Sequence, residues 1–367
     1  MRKNSRKTTA FLLSVLAISG ASVWARGKKS VYKLADIQIY GTQQISDEEV
    51  KEKFEPKIRA WFESRSRGTK KDDARAADLR AKLVADVKKF GDFGWARLTE
   101  SEVASERNVK MILLMFDVIE KQHMATRFPF RSPPSGSVKD GTGLLEDWNR
   151  FYALGWKRVR SGEVPAERGD CPAYFCPEGV GSGNSEIDAL KDKIENRVPS
   201  NEDHLSQILE TDRDPKRRAA ALFLLAFLDD GSKVSEYAAR AMFDAEPSVR
   251  EAATSIFSDI AVHHKDVPIP VQRILKLIDS RYPEDRGRAL ALALSLSDNP
   301  DYESYLISTV ATDIVKLLRS KNLANHEMAH TVLTLLSGED FPAKDFDAWE
   351  NWLWKARKER MEGVKSD

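Results

Sequence analysis

Cysteine is almost absent from this chain of 367 residues, which contains only Cys171 and Cys176. No cysteine lies near the N-terminus, so a lipid anchor has no acceptor there. A structural zinc site needs about four ligands, and a single C-x4-C segment supplies too few thiolates for one. We therefore expect no metal at these cysteines and predict a disulfide between them if the protein is exported.

Long hydrophobic runs are also missing, because no stretch of about 20 apolar residues occurs outside the extreme N-terminus. The N-terminus itself combines four early basic residues, an apolar stretch over residues 10–18 and small residues up to Ala25. This pattern predicts a signal peptide over residues 1–25. A retained anchor helix over residues 8–25 is the alternative. We expect a periplasmic or secreted protein with no integral membrane span after cleavage.

A concentrated basic surface is missing as well. Residues 26–127 carry 22 Lys and Arg against 17 Asp and Glu, whereas residues 201–367 carry 22 against 29. Nucleic-acid binding needs clustered basic side chains with interleaved aromatics. The acidic second half and the predicted export therefore argue against a nucleic-acid partner.

The N-terminal part of the chain alternates short strand and helix patterns. VYKLADIQIYG (31–41) has the period of a half-buried strand, and Ser46 with Glu49 forms a capping box for the helix that follows. A second helical pattern runs over residues 77–90, and GWARLTESEV and NVKMILLMFDVIE are typical of two strands joined by a polar turn. The predicted order is β-α-α-β-β.

This order, the I-x-I-x-G ending of the first strand and the V-x-E ending of the last resemble the POTRA domains of envelope proteins. The resemblance covers residues 31–121. It implies a domain that binds other polypeptides, often by accepting a strand at its exposed sheet edge. POTRA domains commonly precede a membrane β-barrel, but helical patterns follow here, so a role in translocation or barrel assembly does not carry over.

The middle of the chain changes composition twice. Residues 122–143 include a Pro-, Gly- and Ser-rich stretch and are predicted to be a linker. Residues 144–200 are predicted to hold a helix with an aromatic stripe, followed by a loop closed by the disulfide. The GVGSGNS stretch of that loop lacks the preceding strand and following Lys-Ser/Thr of a phosphate-binding loop.

Residues 201–367 contain a repeated pattern. Pro-x-x-Arg-x-x-Ala begins at Pro215, Pro247 and Pro283, and aliphatic residues follow each alanine at helical spacing. The pattern resembles the inner helices of HEAT repeats, with the end of the chain as a cap like that of bacterial extracytoplasmic HEAT proteins. It predicts a mainly α fold, an α-α superhelix (HEAT-like solenoid) after the small α+β domain.

A fourth copy of the pattern coincides with the motif HEMAH, at residues 326–330. Here His326 replaces the arginine, and Ala329 and the aliphatic residues after it place Glu327 on the opposite face from the core. H-E-x-x-H on a helix is also the zinc-binding signature of metallopeptidases, with Glu350 as a possible third ligand. No other protease feature accompanies it.

We therefore predict a non-enzymatic, protein-binding scaffold of the cell envelope, without catalytic residues, metal or cofactor, whose partners are envelope proteins. The alternative is a zinc metallopeptidase using His326, Glu327 and His330. A catalytic or maturation role on a HEAT scaffold, as in lyase-like HEAT proteins, is a third class, although no group of residues in the sequence points to it.

Overall fold

The chain is mainly helical, with a small mixed sheet near its N-terminus, in a computed structural model that describes residues 30–106, 108–127, 130–166, 173–181 and 183–363. The predicted signal peptide lies outside these residues. The N-terminal elements, together named the sheet unit, are β1 (Val31–Tyr40), α1 (Asp47–Arg67), α2 (Lys70–Phe90), β2 (Phe93–Glu106) and β3 (Val109–Glu120). The predicted β-α-α-β-β order is confirmed.

Strand β3 lies in the middle of the sheet, parallel to β1 and antiparallel to β2. One face of β3 packs its buried side chains into the core formed with α1 and α2; these are Ile112, Leu114, Phe116 and Val118. The alternate side chains Leu113, Met115, Asp117 and Ile119 are buried too. Burial on both faces explains why β3 is almost continuously apolar.

The two helices of the sheet unit begin at side-chain caps. Ser46 accepts a hydrogen bond from the Glu49 amide, and the Glu49 carboxylate accepts one from the Ser46 amide, as the sequence predicted. Helix α2 begins earlier than the predicted Ala77, because the Thr69 side chain caps the Asp72 amide. Its first turns are mostly polar and exposed, so no apolar period marks them in the sequence.

The predicted linker over residues 122–143 is irregular only in part, because residues 122–127 form a 3-10 turn and a short helix. Residues 130–143 form a strap laid along the helices. The Arg131 amide donates to the Phe243 carbonyl at 2.8 Å, and the Arg213 amide donates to the Gly136 carbonyl at 2.8 Å. The Val138 amide donates to a carboxylate oxygen of Asp212 at 3.1 Å. These hydrogen bonds hold the strap on the helices.

The remaining elements are α3 (Met124–Arg127), α4 (Leu144–Arg160), α5 (Ser185–Arg197), α6 (Glu202–Thr211), α7 (Pro215–Leu225), α8 (Gly231–Ala241), α9 (Pro247–His263), α10 (Val271–Ile274), α11 (Pro283–Leu296), α12 (Pro300–Tyr305), α13 (Ala311–Leu317), α14 (Leu323–Ser337) and α15 (Phe346–Gly363). We name α4 to α15 the helical array. The chain also contains short 3-10 turns at Lys121–His123, Pro199–Asn201 and Leu275–Asp279 and a π turn at Leu306–Val310. None of the described helices is long and apolar enough to cross a membrane.

Helices α4, α7, α9, α11 and α14 pack in succession, and α6, α8 and α13 pack against α7, α9 and α14 respectively. The three repeats place Pro215, Pro247 and Pro283 at the first helical turn, as predicted. The aliphatic stripes after the alanines are buried in one continuous core. The structure thus confirms the buried faces, while the superhelical form stays a prediction.

The C-terminal helix covers the end of this core. Helix α14 ends at Ser337 and is capped by Gly338, which has a left-handed φ of 71°. Trp349 of α15 is fully buried, and its indole N–H donates to the Pro342 carbonyl at 3.1 Å. Helix α15 packs against α13, and Trp349 lies edge-on to Phe341. Both contacts give α15 a structural role.

Candidate functional site

The two histidines of HEMAH face different backbone carbonyls. His326 Nδ1 lies 2.7 Å from the Leu318 carbonyl oxygen, and His330 Nε2 lies 2.8 Å from the Phe341 carbonyl oxygen. Because a carbonyl only accepts, each of these ring nitrogens carries a proton.

The other candidate zinc residues do not join the histidines. Glu327 is exposed, and Glu350 forms an ion pair with Arg319 at 3.0 Å. His330 lies edge-on to the buried ring of Trp349, with 5.6 Å between ring centroids. Across the described residues, no group of three or more His, Cys, Asp or Glu side chains could hold a metal ion. The motif is therefore part of the helix packing in this structure.

A ladder of buried arginines runs through the helical array. Arg218, Arg250 and Arg286 are the arginines of the Pro-x-x-Arg pattern, and each is at most 1% exposed. Each donates through Nη1 to the carbonyl of the residue six positions earlier, at 2.8–2.9 Å. The repeated arginine therefore fixes the turn that leads into its own helix.

Each arginine of the ladder also has a carboxylate partner. Arg218 contacts Asp244 at 2.6 Å and Arg250 contacts Asp285 at 2.8 Å, so both partners lie within the helical array. Arg286 instead contacts Asp117 of β3 at 2.8 Å. The sequence pattern identified the arginines but not these partners.

Asp117 is the point where the sheet unit meets the ladder. Burial raises the pKa of its carboxyl, and the Arg286 guanidinium and the Thr99 hydroxyl only partly offset this effect. The Arg286 guanidinium also lies over the ring of Tyr40, 4.4 Å from its centroid. All three strands thus contribute to one buried contact with α11.

Lys321, in the turn between α13 and α14, is a second anchor for the sheet unit. Its ammonium contacts Asp36 at 2.8 Å and Asp47 at 2.9 Å. Burial would lower the pKa of Lys321, but these two carboxylates outweigh it and raise the pKa above its usual value. The Lys321 amide donates to Gln38 Oε1 at 2.7 Å, and Gln38 Nε2 donates to the Arg319 carbonyl at 3.1 Å.

Aromatic rings and arginines fill the rest of this interface. Tyr282, at the start of α11, lies edge-on to Trp95 of β2 and near Phe130 of the strap, each with 5.8 Å between ring centroids. The salt bridge between Arg97 of β2 and Glu284 of α11 measures 2.8 Å. Burial would raise the pKa of Glu284, but Arg97 outweighs it and lowers the pKa.

The outer edge of β1 is closed by side chains. The amides of Ile37 and Ile39 donate to Asp36 at 2.8 Å and to Asp47 at 2.7 Å, and the Ile37 carbonyl accepts from Lys321 at 2.9 Å. At its other end the edge is closed by the contact between the Tyr32 amide and Ser66. A further strand would have to displace these side chains.

The outer edge of β2 is different. Within the described part of the chain, β2 pairs only with β3. Arg80 donates to the outward carbonyl of Leu98, but residues 102–106 are exposed beyond that point. Val103 is 38% exposed in this stretch. The open strand edge is therefore the outer edge of β2 over residues 102–106.

The predicted disulfide falls partly outside the described residues, because Cys171 is not among them. Cys176 is 4% exposed, and its amide donates to the Asp259 carboxylate of α9 at 3.2 Å. Tyr174 of the same loop donates its amide to the Ala226 carbonyl. The loop is thus tied to α7 and α9, and its pairing through Cys171 stays a prediction.

Comparison with known proteins identifies no relative, because no family model, curated protein or solved structure matches the chain.

Proposed function

We propose that this protein is a non-enzymatic binding scaffold that accepts an extended segment of another polypeptide at the outer edge of β2. The observation that supports this proposal best is the contrast between the two edges of the sheet. The edge of β1 is closed by side chains, whereas the edge of β2 is open over residues 102–106. An unpaired strand edge offers backbone N–H and C=O groups to an incoming strand.

Other observations support what we propose for the sheet unit and the helical array. The order of elements and the parallel pairing of β1 with β3 support a POTRA-like sheet unit. The succession of packed helices with a buried arginine in each Pro-x-x-Arg repeat supports a HEAT-like array. We further propose that the scaffold works in the cell envelope, on the basis of the N-terminal pattern of residues 1–25.

The test uses a pair of variants at one position of β2. The outward carbonyl of Leu98 implies that the Glu102 amide also points outward, because strand residues alternate in direction. Glu102→Pro removes that amide hydrogen, whereas Glu102→Ala keeps it, and both remove the contact between Glu102 and Lys110. Binding would be measured with ten-residue peptides selected from a random library on the wild-type protein.

We expect Glu102→Pro to weaken peptide binding by about tenfold or more, and Glu102→Ala to bind like the wild type. Hydrogen exchange should show protection of residues 98–106 when peptide is bound. Equal binding by both variants, or protection confined to the helical array, would contradict the proposal.

A further inference from the structure

The arginine ladder lacks an acidic residue of its own at one position. Asp285, which neutralises Arg250, directly precedes Arg286 in the first turn of α11. The equivalent residue of the next repeat directly precedes His326 in α14, and it is Asn325. An amide carries no charge, so the helical array cannot neutralise Arg286 in the way it neutralises Arg250.

Asn325 occupies in α14 the position that Asp285 occupies in α11, but its side chain is incompletely bonded. It is 2% exposed, and its Oδ1 lies 3.2 Å from the position that a Cβ on Gly287 would take. Among the described residues, neither Asn325 Nδ2 nor Arg286 Nε has a hydrogen-bond partner. Helices α11 and α14 therefore meet with two buried donors and no acceptor from either helix for them.

A buried guanidinium without a carboxylate is strongly unfavourable. Arg286 is fully buried, and Asp117 reaches it from a strand 169 residues away in sequence. We infer that Asp117 supplies the acid missing at Asn325, and that this pair locks the sheet unit on the helical array in one orientation. The lock operates whether or not the β2 edge binds a partner.

The polar contacts around the Asp117–Arg286 pair explain why one orientation of the sheet unit is favoured. Buried ion pairs contribute little net stability, but they penalise every arrangement that leaves one charge unpaired. If the sheet unit shifted, Arg286 would lose Asp117 while still packed in α11. The Arg97–Glu284 and Lys321–Asp36 contacts would separate in the same movement.

The test separates docking from stability. The Lys321 amide donates to Gln38 Oε1 across the interface, so its hydrogen-exchange rate, relative to that of the Phe257 amide in α9, reports docking. We expect Asp117→Asn to accelerate this relative exchange about 10- to 100-fold. Asp244→Asn is the matched control, since it removes an acid that is also buried, from the Arg218 pair, but leaves the interface intact.

The double variant Asp117→Asn, Asn325→Asp decides between a lock and an ordinary buried pair. A carboxylate at position 325 should neutralise Arg286 from α14, so the melting temperature should recover while Lys321 exchange stays fast. If Asp117→Asn does not fold, the double variant carries the test alone. Wild-type Lys321 exchange in the variants with Asp117→Asn, or failure of the double variant to fold, would overturn the inference.

Discussion

The two faces of the three-stranded sheet are both buried, but they are built from different side chains. The face toward α1 and α2 is apolar, with Leu114 and Phe116 fully buried at its centre. The face toward the helical array adds polar groups to its buried aliphatics, among them Gln38 and Asp117, which are 7% and 2% exposed. Each polar group has a specific partner in the helical array.

The two faces therefore have different roles: one holds the sheet unit together, and the other sets its orientation on the helical array. Apolar burial is non-directional, so the first face holds the sheet unit together without specifying one arrangement closely. Hydrogen bonds and ion pairs have defined geometry and leave costly unpaired groups when displaced. The second face therefore sets how the sheet unit sits on the helices, and substitutions on the two faces should have different consequences.

The largest effect is expected on the apolar face. Phe116→Ala should lower the free energy of unfolding by about 3–5 kcal/mol, because it removes a fully buried ring and leaves a cavity. Chemical denaturation measures the loss. Val103→Ala, at an exposed position of β2, is the control and should stay within about 0.5 kcal/mol. A near-wild-type Phe116→Ala would mean that this face is not a packed core.

A smaller effect is expected on the polar face. Gln38→Met keeps the side-chain size but removes the two hydrogen bonds to the Arg319 carbonyl and the Lys321 amide. Leaving these buried groups unpaired should cost about 1–3 kcal/mol, measured by denaturation. Gln44→Met, at an exposed position, controls for the change of residue type. Equal stability of both variants would show that water replaces Gln38 at the interface.

Local signals allowed much of this fold to be predicted from the sequence. The Ser46–Glu49 capping box and the Pro-x-x-Arg helices depend on residues a few positions apart, and the structure confirms both. The docking of the sheet unit was not predicted, because its partners are far apart in the chain. One signal did exist: Asp117 is a lone acid among the buried residues of β3, which implies a buried cation opposite it.

The predicted linker shows the same limit. Its Pro, Gly and Ser content indicates the absence of regular structure, and residues 130–143 indeed contain no helix or extended strand. What holds them in place is backbone hydrogen bonding to Phe243 and Arg213 and contact with the Asp212 carboxylate. Backbone donors and acceptors are the same at almost every position, so composition cannot predict which of them will pair.

Acid should affect two buried carboxylates in opposite directions. Burial alone would raise the pKa of Asp212, but the amides of Asp214 and Val138 and the Arg217 guanidinium outweigh it and lower the pKa. Its stabilising contribution is therefore complete above an unfolded pKa of about 3.9 and is lost as the pH falls through the lower folded value. Burial raises the pKa of Asp117, so the stability linked to its protonation is instead greatest at low pH and declines as the pH rises through the folded value.

Denaturation of Asp212→Asn and of the wild type between about pH 6 and pH 2 measures the contribution of the Asp212 carboxylate. The variant should be less stable than the wild type at pH 6, and the gap between them should narrow as the pH falls. An unchanged gap over this range would mean that the Asp212 carboxylate does not stabilise the strap through its charge.

The smallest effect is expected for a polar residue that faces solvent instead of the docked interface. Glu327 is exposed on α14, so Glu327→Gln should change the free energy of unfolding by no more than about 0.5 kcal/mol.

The same helix tests the zinc alternative, because His326 and His330 each direct a ring N–H to a carbonyl. A chelator should therefore leave the melting temperature unchanged, since only a metal bound to the folded state would stabilise it. Stoichiometric zinc in the purified protein, lost in a His326→Ala, His330→Ala double variant, would show that the helix rearranges to bind metal.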